Sequence, residues 1–321
     1  MKYKYLNVIG LMTGTSMDGI DISLVKTNGQ DLIRLNENFF YRYSNETKNF
    51  LLSILDEDIN VNLKRKKYLD EIITEEHYQA LKNLDIVNKS DLIGLHGQTI
   101  YHNPNIQTSI QLGDPKKLAK MLNKDIVFDF RSKDIQLGGQ GAPLAPIYHQ
   151  FIIDSLNLEL PSGILNIGGV ANLTFWDGKT LIGFDTGPGN GLMDHFIKTI
   201  SNKYFDENGL IASKGIPNKK IVNKFINHNF FKKLPPKSLD RNSFMNLFKS
   251  LLEKKMSNSD IMATLAEFTI ESIAISLHFL PEKIENILIT GGGHKNNYLM
   301  ERLIKRLDVN FINEREIDMK F

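Results

Sequence analysis

Asp185 stands in the segment GFDTGPGNG at 183–191, which carries more glycine than a strand-to-helix connection requires. The apolar run TLIGF predicts a strand that ends at Asp185, and apolar residues at helical spacing after Asn190 predict a helix. Glycine permits positive φ and close backbone approach, and the first N–H groups of a helix can bind an anion. The segment therefore predicts a carboxylate on a rigid turn beside a phosphate site. The alternative is that Asp185 only caps the helix.

A second turn rich in glycine and hydroxyl groups, MTGTSMDG at 12–19, lies between predicted strands at 5–11 and 20–26. Its glycines allow unusual backbone geometry, and its hydroxyls can donate hydrogen bonds to phosphate oxygens. Asp18 and Asp21 could ligate a phosphate-bound magnesium ion directly or through water. The turn therefore predicts a phosphate-holding hairpin, and the alternative is a plain Asp-Gly connection between strands.

Three polar side chains close the segment DLIGLHGQT at 91–99, where a buried strand is predicted to lead into a polar loop. Ligands of open α/β sheets collect just beyond the carboxyl ends of strands, so His96, Gln98 and Thr99 are predicted pocket residues. A single histidine in a loop is as often structural, and that alternative stays open for His96.

Arg131 follows another predicted strand, at 125–130. Its guanidinium could bind a substrate carboxylate through two hydrogen bonds, or it could form a salt bridge with Asp129 or Asp134. The glycine- and proline-rich segment after it predicts a shaped loop that leads into a helix, and we expect the crossing between two domains near 145.

The second half of the chain restarts the pattern of the first with three short predicted strands, SGILNIGG, ANLTFW and TLIGFD. Gly168 and Gly169, between the first two of these strands, match the glycine-rich hairpin of the first half in position. The pattern predicts an architectural repeat of two lobes, 1–145 and 146–321, each with a phosphate-facing hairpin.

A triple glycine follows the predicted strand NILIT, and a helix is predicted after it. Backbone at Gly291, Gly292 and Gly293 could lie flat against the base or ribose of a nucleotide. Together, the glycine-rich segments predict ATP held between two lobes and phosphoryl transfer as the reaction. The sequence has no GxxxxGK[ST] loop, no early GxGxxG helix start and no His-Arg-Asp loop, which disfavours the commonest nucleotide-binding folds.

The composition narrows the class of protein further. The chain has 321 residues, 39 Lys and Arg against 37 Asp and Glu, and no cysteine. The near-neutral charge predicts no nucleic-acid or membrane partner, and the basic run LKRKK is interpreted as a solvated helix face. We expect no signal peptide, no membrane span, no protein-held metal and a cytoplasmic location, because no long apolar run, thiol or metal-ligand spacing of histidines occurs.

Seven motifs resemble those of the anhydro-N-acetylmuramic acid kinase family and follow the family order through nearly the whole chain. They are GLMTGTSMDGID, GLHGQTIYH, QLGDP, FRSKDIQLGGQGAPLAP, LNIGGVANLT, FDTGPGNGLMD and ITGGGHKNNYLMERL. The family belongs to the actin/Hsp70/hexokinase superfamily. The resemblance therefore implies an α/β fold of two ribonuclease H-like lobes with a nucleotide cleft between them, and a homodimer.

The resemblance also implies a reaction. ATP and water are consumed, the 1,6-anhydro ring of anhydro-N-acetylmuramic acid is opened, and N-acetylmuramic acid 6-phosphate and ADP are formed during peptidoglycan recycling. Asp185 matches the catalytic Asp of the family, which takes a proton from the water that attacks the anomeric carbon. Arg131 matches an arginine of the sugar pocket, where a lactyl carboxylate would explain the guanidinium. His96 and Gln98 lie in a matching motif.

Magnesium is expected to arrive bound to the phosphates of ATP. The nucleotide-binding residues predicted from these motifs are Gly14, Thr15, Ser16, Met17, Asp18, Gly19, Ile20, Asp21, Gly168, Gly169, Gly291, Gly292 and Gly293. Family members usually continue through a final helix that contributes to the sugar site, and we expect that tail to be missing here. The alternative functions are an inactive, shortened ATP-binding homologue and a sugar kinase of the same superfamily with another acceptor.

Overall fold

A computed structural model describes residues 4–14, 17–55, 59–201, 203–239 and 244–312. The chain divides into two compact units, Met1–Gly141 and Ala142–Phe321. The division lies just before the crossing expected near 145.

The first unit contains a five-stranded sheet and a separate two-stranded hairpin. In chain order the strands are β1 (Leu6–Met12), β2 (Gly19–Thr27), β3 (Leu32–Arg42), β4 (Leu92–Leu95), β5 (Gln98–Asn103), β6 (Thr108–Leu112) and β7 (Ile126–Phe128). The sheet order is β3-β2-β1-β4-β7, and β5 pairs with β6. Strand β2 pairs antiparallel with both β1 and β3, whereas β4 is parallel to β1 and β7 is parallel to β4.

The α-helices described in this unit are α1 (Asn45–Leu55), α2 (Ile59–Leu81), α3 (Ile86–Lys89), α4 (Pro115–Leu122) and α5 (Ser132–Gln136). Alternate residues of β1 and β2 face α1 and α2, because the period of two along a strand puts one side chain in two on the helix-covered face. Ile9 and Ile22 from the strands and Leu51 and Ile73 from the helices are at most 2% exposed and share one core.

Two elements of this unit differ from the sequence expectations. The strand expected at 125–130 is confined to Ile126–Phe128. The polar residues after β4 do not form a loop throughout, because Gln98 already begins β5 and pairs with Leu112. Hairpin pairing with a later strand overrides the local polar pattern.

The second unit repeats the sheet. Its strands are β8 (Ser162–Ile167), β9 (Val170–Trp176), β10 (Leu181–Pro188), β11 (Asn286–Thr290) and β12 (Asn310–Ile312), in the order β10-β9-β8-β11-β12. Three antiparallel strands again lead to two parallel ones. The predicted repeat of the strand pattern is thus present in the two sheets. That each hairpin faces a phosphate stays a prediction.

The helices of this unit are α6 (Pro146–Ser155), α7 (Gly191–Ile200), α8 (Lys219–Ile226), α9 (Met245–Leu252), α10 (Asn258–Leu277) and α11 (Asn297–Arg306). Helix α10 is capped by the Ser257 side chain, which accepts a hydrogen bond from the N–H of Asp260. It is buried on most sides and packs against β10, α7 and α11. Among the described residues, no helix combines the length and the apolar character needed to cross a membrane.

Candidate active site

Asp185 lies inside strand β10, not at its end. The strand continues to Pro188 through a β-bulge, in which Asp185 pairs with Asn172 and Gly187 pairs with Ala171. Gly187 has a φ of +154°, and a Cβ built on it would lie 2.7 Å from the Ser272 side chain. The predicted strand end at Asp185 is therefore wrong, because the bulge lets pairing resume where the glycine run suggested a turn.

The cap of helix α7 is Asn190, so the helix-cap alternative for Asp185 is also wrong. The N–H groups of Gly189 and Gly191 donate to the carbonyl of Gly169 at 3.0 Å, and the N–H of Asn190 donates to Gly168 at 2.7 Å. These three N–H groups are consequently not available to an anion. The phosphate site predicted there does not include them.

Two backbone contacts hold Asp185 against residues 237–239, which we call the strap. The N–H of Asp185 donates to the carbonyl of Lys237 at 3.0 Å, and the N–H of Leu239 donates to Asp185 Oδ2 at 2.7 Å. Asp185 is only 8% exposed. Since a hydrogen bond to a charged group is short and directional, the strap fixes the orientation of the carboxylate.

Hydroxyl groups of α10 support the other side of the bulge. Thr269 Oγ1 donates to the carbonyl of Gly189 at 2.9 Å, and Ser276 Oγ donates to the carbonyl of Thr186 at 3.3 Å. Both side chains are essentially fully buried. Buried carbonyls need partners, so these hydroxyls satisfy the backbone that the bulge removes from the ladder.

The three glycines at 291–293 pack beside the turn between β8 and β9. Gly291 has a φ of +81°, and a Cβ there would lie 2.7 Å from the carbonyl oxygen of Ile167. A Cβ on Gly293 would lie 2.3 Å from Ile167 Cγ2. The second unit thus brings Gly168, Gly169 and the triple glycine together, and close packing already requires glycine at 291 and 293. Their nucleotide contacts stay a prediction.

In the first unit, the β1–β2 hairpin is tied to the segment after β4. Thr13 Oγ1 donates to the carbonyl of Gly97 at 2.6 Å, and Gln98 Nε2 donates to the carbonyl of Gly14 at 3.2 Å. Gln98 is fully buried, and its hydrogen bond to Gly14 ties the hairpin to the segment after β4. Its predicted contact with a sugar stays a prediction.

The residues of this hairpin that are predicted to bind the nucleotide differ in what they can offer a ligand. Thr15 and Ser16 lie outside the described residues. The side chains of Met17 and Ile20 belong to the hydrophobic core, so only their backbone is left for a ligand. The Gly19 position excludes a side chain, because a Cβ there would lie 2.2 Å from the carbonyl oxygen of Tyr41.

The carboxylates of the hairpin suit a cation. Partial burial raises the pKa of Asp21, and the negative charge of Asp18 raises it further. A nearby positive ion would relieve both effects. Within the described part of the chain, no three His, Asp or Glu side chains are grouped so that they could hold a metal ion by themselves. The two carboxylates are thus groups that would suit a magnesium ion brought by ATP.

His96 and Arg131 come together. The guanidinium donates to His96 Nε2 from Nε at 3.2 Å and from Nη2 at 2.9 Å, and Nη1 donates to the carbonyl of Gly141 at 2.7 Å. Burial and the positive charge of Arg131 lower the pKa of His96 to about 4. The imidazole is therefore neutral near pH 7 and accepts these bonds, which orients the guanidinium.

The strap and the α10 hydroxyls were missed in the sequence. Lys237 and Leu239 follow Pro235 and Pro236 in the sequence, and nothing in the spacing of this segment links it to Asp185. Thr269 and Ser276 did carry a signal, because together with Ser272 they stand at helical spacing and so place three hydroxyl groups on one face of α10.

Three antiparallel strands followed by two parallel ones, once in each unit, form the ribonuclease H-like arrangement of the actin/Hsp70/hexokinase class of proteins. The glycine-rich hairpins join the first two strands of the sheet in each unit, and Asp185 lies on the third strand of the second unit. The chain belongs to the anhydro-N-acetylmuramic acid kinase family, whose model matches residues 6–319.

Relatives that carry the name anhydro-N-acetylmuramic acid kinase cover most of the chain. The protein of Rhodopseudomonas palustris (strain ATCC BAA-98 / CGA009) is 38% identical over 313 residues, which are 94% of this chain and 84% of the relative. The protein of Zymomonas mobilis is 40% identical over 313 residues, which are 92% of this chain and 83% of the relative.

Among solved structures, the ADPNP-bound activator of 2-hydroxyisocaproyl-CoA dehydratase from Clostridium difficile matches 97% of this chain and 88% of its own, with 11% identity and a TM-score of 0.43. That likeness is too weak to carry an argument.

Proposed function

We propose that this protein is an ATP-dependent kinase that hydrolytically opens 1,6-anhydro-N-acetylmuramic acid and phosphorylates O6. Water oxygen bonds to the anomeric carbon while the bond from that carbon to O6 breaks. O6 takes the γ-phosphoryl group from ATP, and N-acetylmuramic acid 6-phosphate and ADP are released. The observation that carries the proposal is the carboxylate of Asp185, held by the strap on a bulged strand.

Asp185 is the general base of this reaction. Its carboxylate takes one proton from the attacking water as the new carbon–oxygen bond forms. Positioned proton abstraction contributes about 10²- to 10⁴-fold in rate, provided that the base is aligned with the water. The hydrogen bond from Leu239 supports this role, because it restricts rotation of the carboxylate without neutralising it.

Arg131 binds the lactyl carboxylate of the sugar. A guanidinium has five N–H donors, so its bonds to His96 and Gly141 are compatible with further bonds to a ligand. The neutral His96 ring fixes the plane of the guanidinium, and a planar fork is suited to a carboxylate.

The β1–β2 hairpin is the proposed phosphate-binding segment of the first unit. Gly168, Gly169 and residues 291–293 are the proposed nucleotide-binding residues of the second unit. Asp18 and Asp21 would hold, directly or through water, the magnesium ion that ATP carries on its phosphates. When bound, magnesium supplies positive charge that stabilises the phosphoryl group during transfer. We also infer a cytoplasmic homodimer in peptidoglycan recycling, on the strength of the family and the absence of cysteine.

The test is ADP release by the purified protein with ATP, magnesium and anhydro-N-acetylmuramic acid, with N-acetylglucosamine as the comparison acceptor and product mass as the second readout. Turnover with the anhydro sugar alone, giving a product heavier by one phosphoryl group (HPO3) and one water, supports the proposal. Turnover with N-acetylglucosamine would indicate a different sugar kinase. Nucleotide binding without turnover on either sugar would indicate an inactive homologue.

A further inference from the structure

Lys237 buries a positive charge among aromatic rings. The residue is 3% exposed, and Nζ lies 4.2 Å from the ring centroid of Phe279, 4.8 Å from that of Phe230 and 5.8 Å from that of Phe184. Nζ also donates to the carbonyl of Phe230 at 3.5 Å. None of the ion pairs formed among the described residues includes Lys237. The negative faces of these three rings attract the ammonium of Lys237, as a carboxylate would in an ion pair.

Such a cation is costly to the fold. Burial lowers the pKa of Lys237 to about 8. Replacing a buried ion by an apolar side chain of similar volume is often neutral or stabilising. Fold stability alone therefore gives no reason for a lysine at this position, and a costly group in a folded protein points to function.

The backbone of the same residue carries one of the two contacts that hold Asp185. The carbonyl of Lys237 accepts the N–H of Asp185, and two residues later the N–H of Leu239 donates to the carboxylate. Phe184, one of the three rings around the ammonium, immediately precedes Asp185 on β10. The side chain of Lys237 thus contacts Phe184, and its backbone contacts Asp185, the next residue of β10.

We propose that Lys237 is a positioning residue, whose ammonium, held against Phe184, Phe230 and Phe279, fixes the strap so that Leu239 keeps the Asp185 carboxylate in its working orientation. The inference rests on the proposed role of Asp185 as the base. Lys237 itself contacts neither water nor sugar in this account. Its loss therefore slows the chemical step and leaves sugar binding nearly unchanged.

The experiment compares Lys237→Met, which keeps the apolar stem, with Lys237→Arg, which keeps a cation for the rings. Lys198→Met is the matched control, because Lys198 also lies over a ring, that of Tyr204 at 5.8 Å, but on the exposed surface. For each protein, kcat and KM for the anhydro sugar, the melting temperature and the hydrogen exchange of the Leu239 amide are measured.

The proposal expects kcat of Lys237→Met to fall about 10- to 100-fold, since small misplacements of a reacting group have effects of that size. KM stays within a factor of about three, because the ligand contacts are unchanged, and the melting temperature is at or above that of the wild type. The Leu239 amide exchanges faster, Lys237→Arg recovers most of kcat, and Lys198→Met behaves as the wild type.

Unchanged kcat in Lys237→Met would overturn the proposal, and so would a markedly lower melting temperature, because it would make the lysine a stability element. If the wild-type protein itself shows no turnover, the proposed function fails, and the exchange measurement decides the inference separately. Faster exchange of Leu239 in Lys237→Met alone then supports the positioning role, and equal exchange in all four proteins rejects it.

Discussion

The N–H of Leu239 donates a 2.7 Å hydrogen bond to the carboxylate of Asp185, across 54 residues of sequence. Asp185 lies on a bulged strand, and Leu239 lies in a segment without regular secondary structure. A carboxylate fixed in this way has lost rotational freedom before any substrate arrives. The chemistry proposed for Asp185 therefore depends on a loop that is far away in sequence.

Gly187→Ala is expected to lower both the melting temperature and kcat. A Cβ at this position would lie 2.7 Å from Ser272, and relief of such a clash in a packed interior costs about 1–3 kcal/mol. Moving the bulge would also displace Asp185. Thermal melts and steady-state kinetics on the same preparation measure both effects.

The matched control is Gly29→Ala, at a φ of +86° with open space around the added atom. It isolates the backbone cost of a side chain at positive φ, about 1–2 kcal/mol, and should leave kcat unaltered. Equal effects of the two substitutions on kcat would show that the bulge does not position Asp185.

Arg131→Lys is expected to raise KM for anhydro-N-acetylmuramic acid about 10- to 100-fold, because hydrogen bonds to charged groups are worth about 1.5–3 kcal/mol and lysine cannot reproduce the planar fork. The control is the sugar 1,6-anhydro-N-acetylglucosamine, which lacks the lactyl group. For this analogue the substitution should make little difference. A similar rise in KM for both sugars would show that Arg131 does not bind the lactyl carboxylate.

His149 predicts a loss of stability in mild acid. It is 7% exposed, its Nδ1 lies 2.7 Å from Thr174 Oγ1, and burial lowers its pKa to about 4. Between the ordinary pKa near 6.5 and the folded-state value, the unfolded chain binds the proton and the folded chain does not. The contribution of His149 to stability is therefore present above pH 6.5 and is lost as the pH falls toward 4.

His149→Asn should remove up to about 3 kcal/mol of this pH dependence, since one pKa unit corresponds to about 1.36 kcal/mol. Denaturant unfolding of wild type and variant at several pH values between 7 and 4 measures the difference. Parallel curves for the two proteins would contradict the assignment of a buried, neutral His149.

Local patterns were sufficient to predict the repeated lobes and the elements around the site. Alternation in β2 and the glycines near Asp185 report strand pairing and close backbone approach, which are properties of short segments. The strap could not be predicted from the sequence, because the contact between Leu239 and Asp185 depends on packing between distant segments. The N–H groups of Gly189 and Gly191 were misjudged for the same reason, since their partner Gly169 belongs to another turn.

The central claim is that Asp185 is the base of a kinase acting on an anhydro sugar, and its most direct test is ADP release by the wild type and by Asp185→Asn. The variant keeps the shape of the side chain and an oxygen for the Leu239 N–H. With anhydro-N-acetylmuramic acid present, we predict a loss of kcat of about 10²- to 10⁴-fold, with ATP affinity unchanged by calorimetry. Turnover by Asp185→Asn within a few-fold of the wild type would contradict the account.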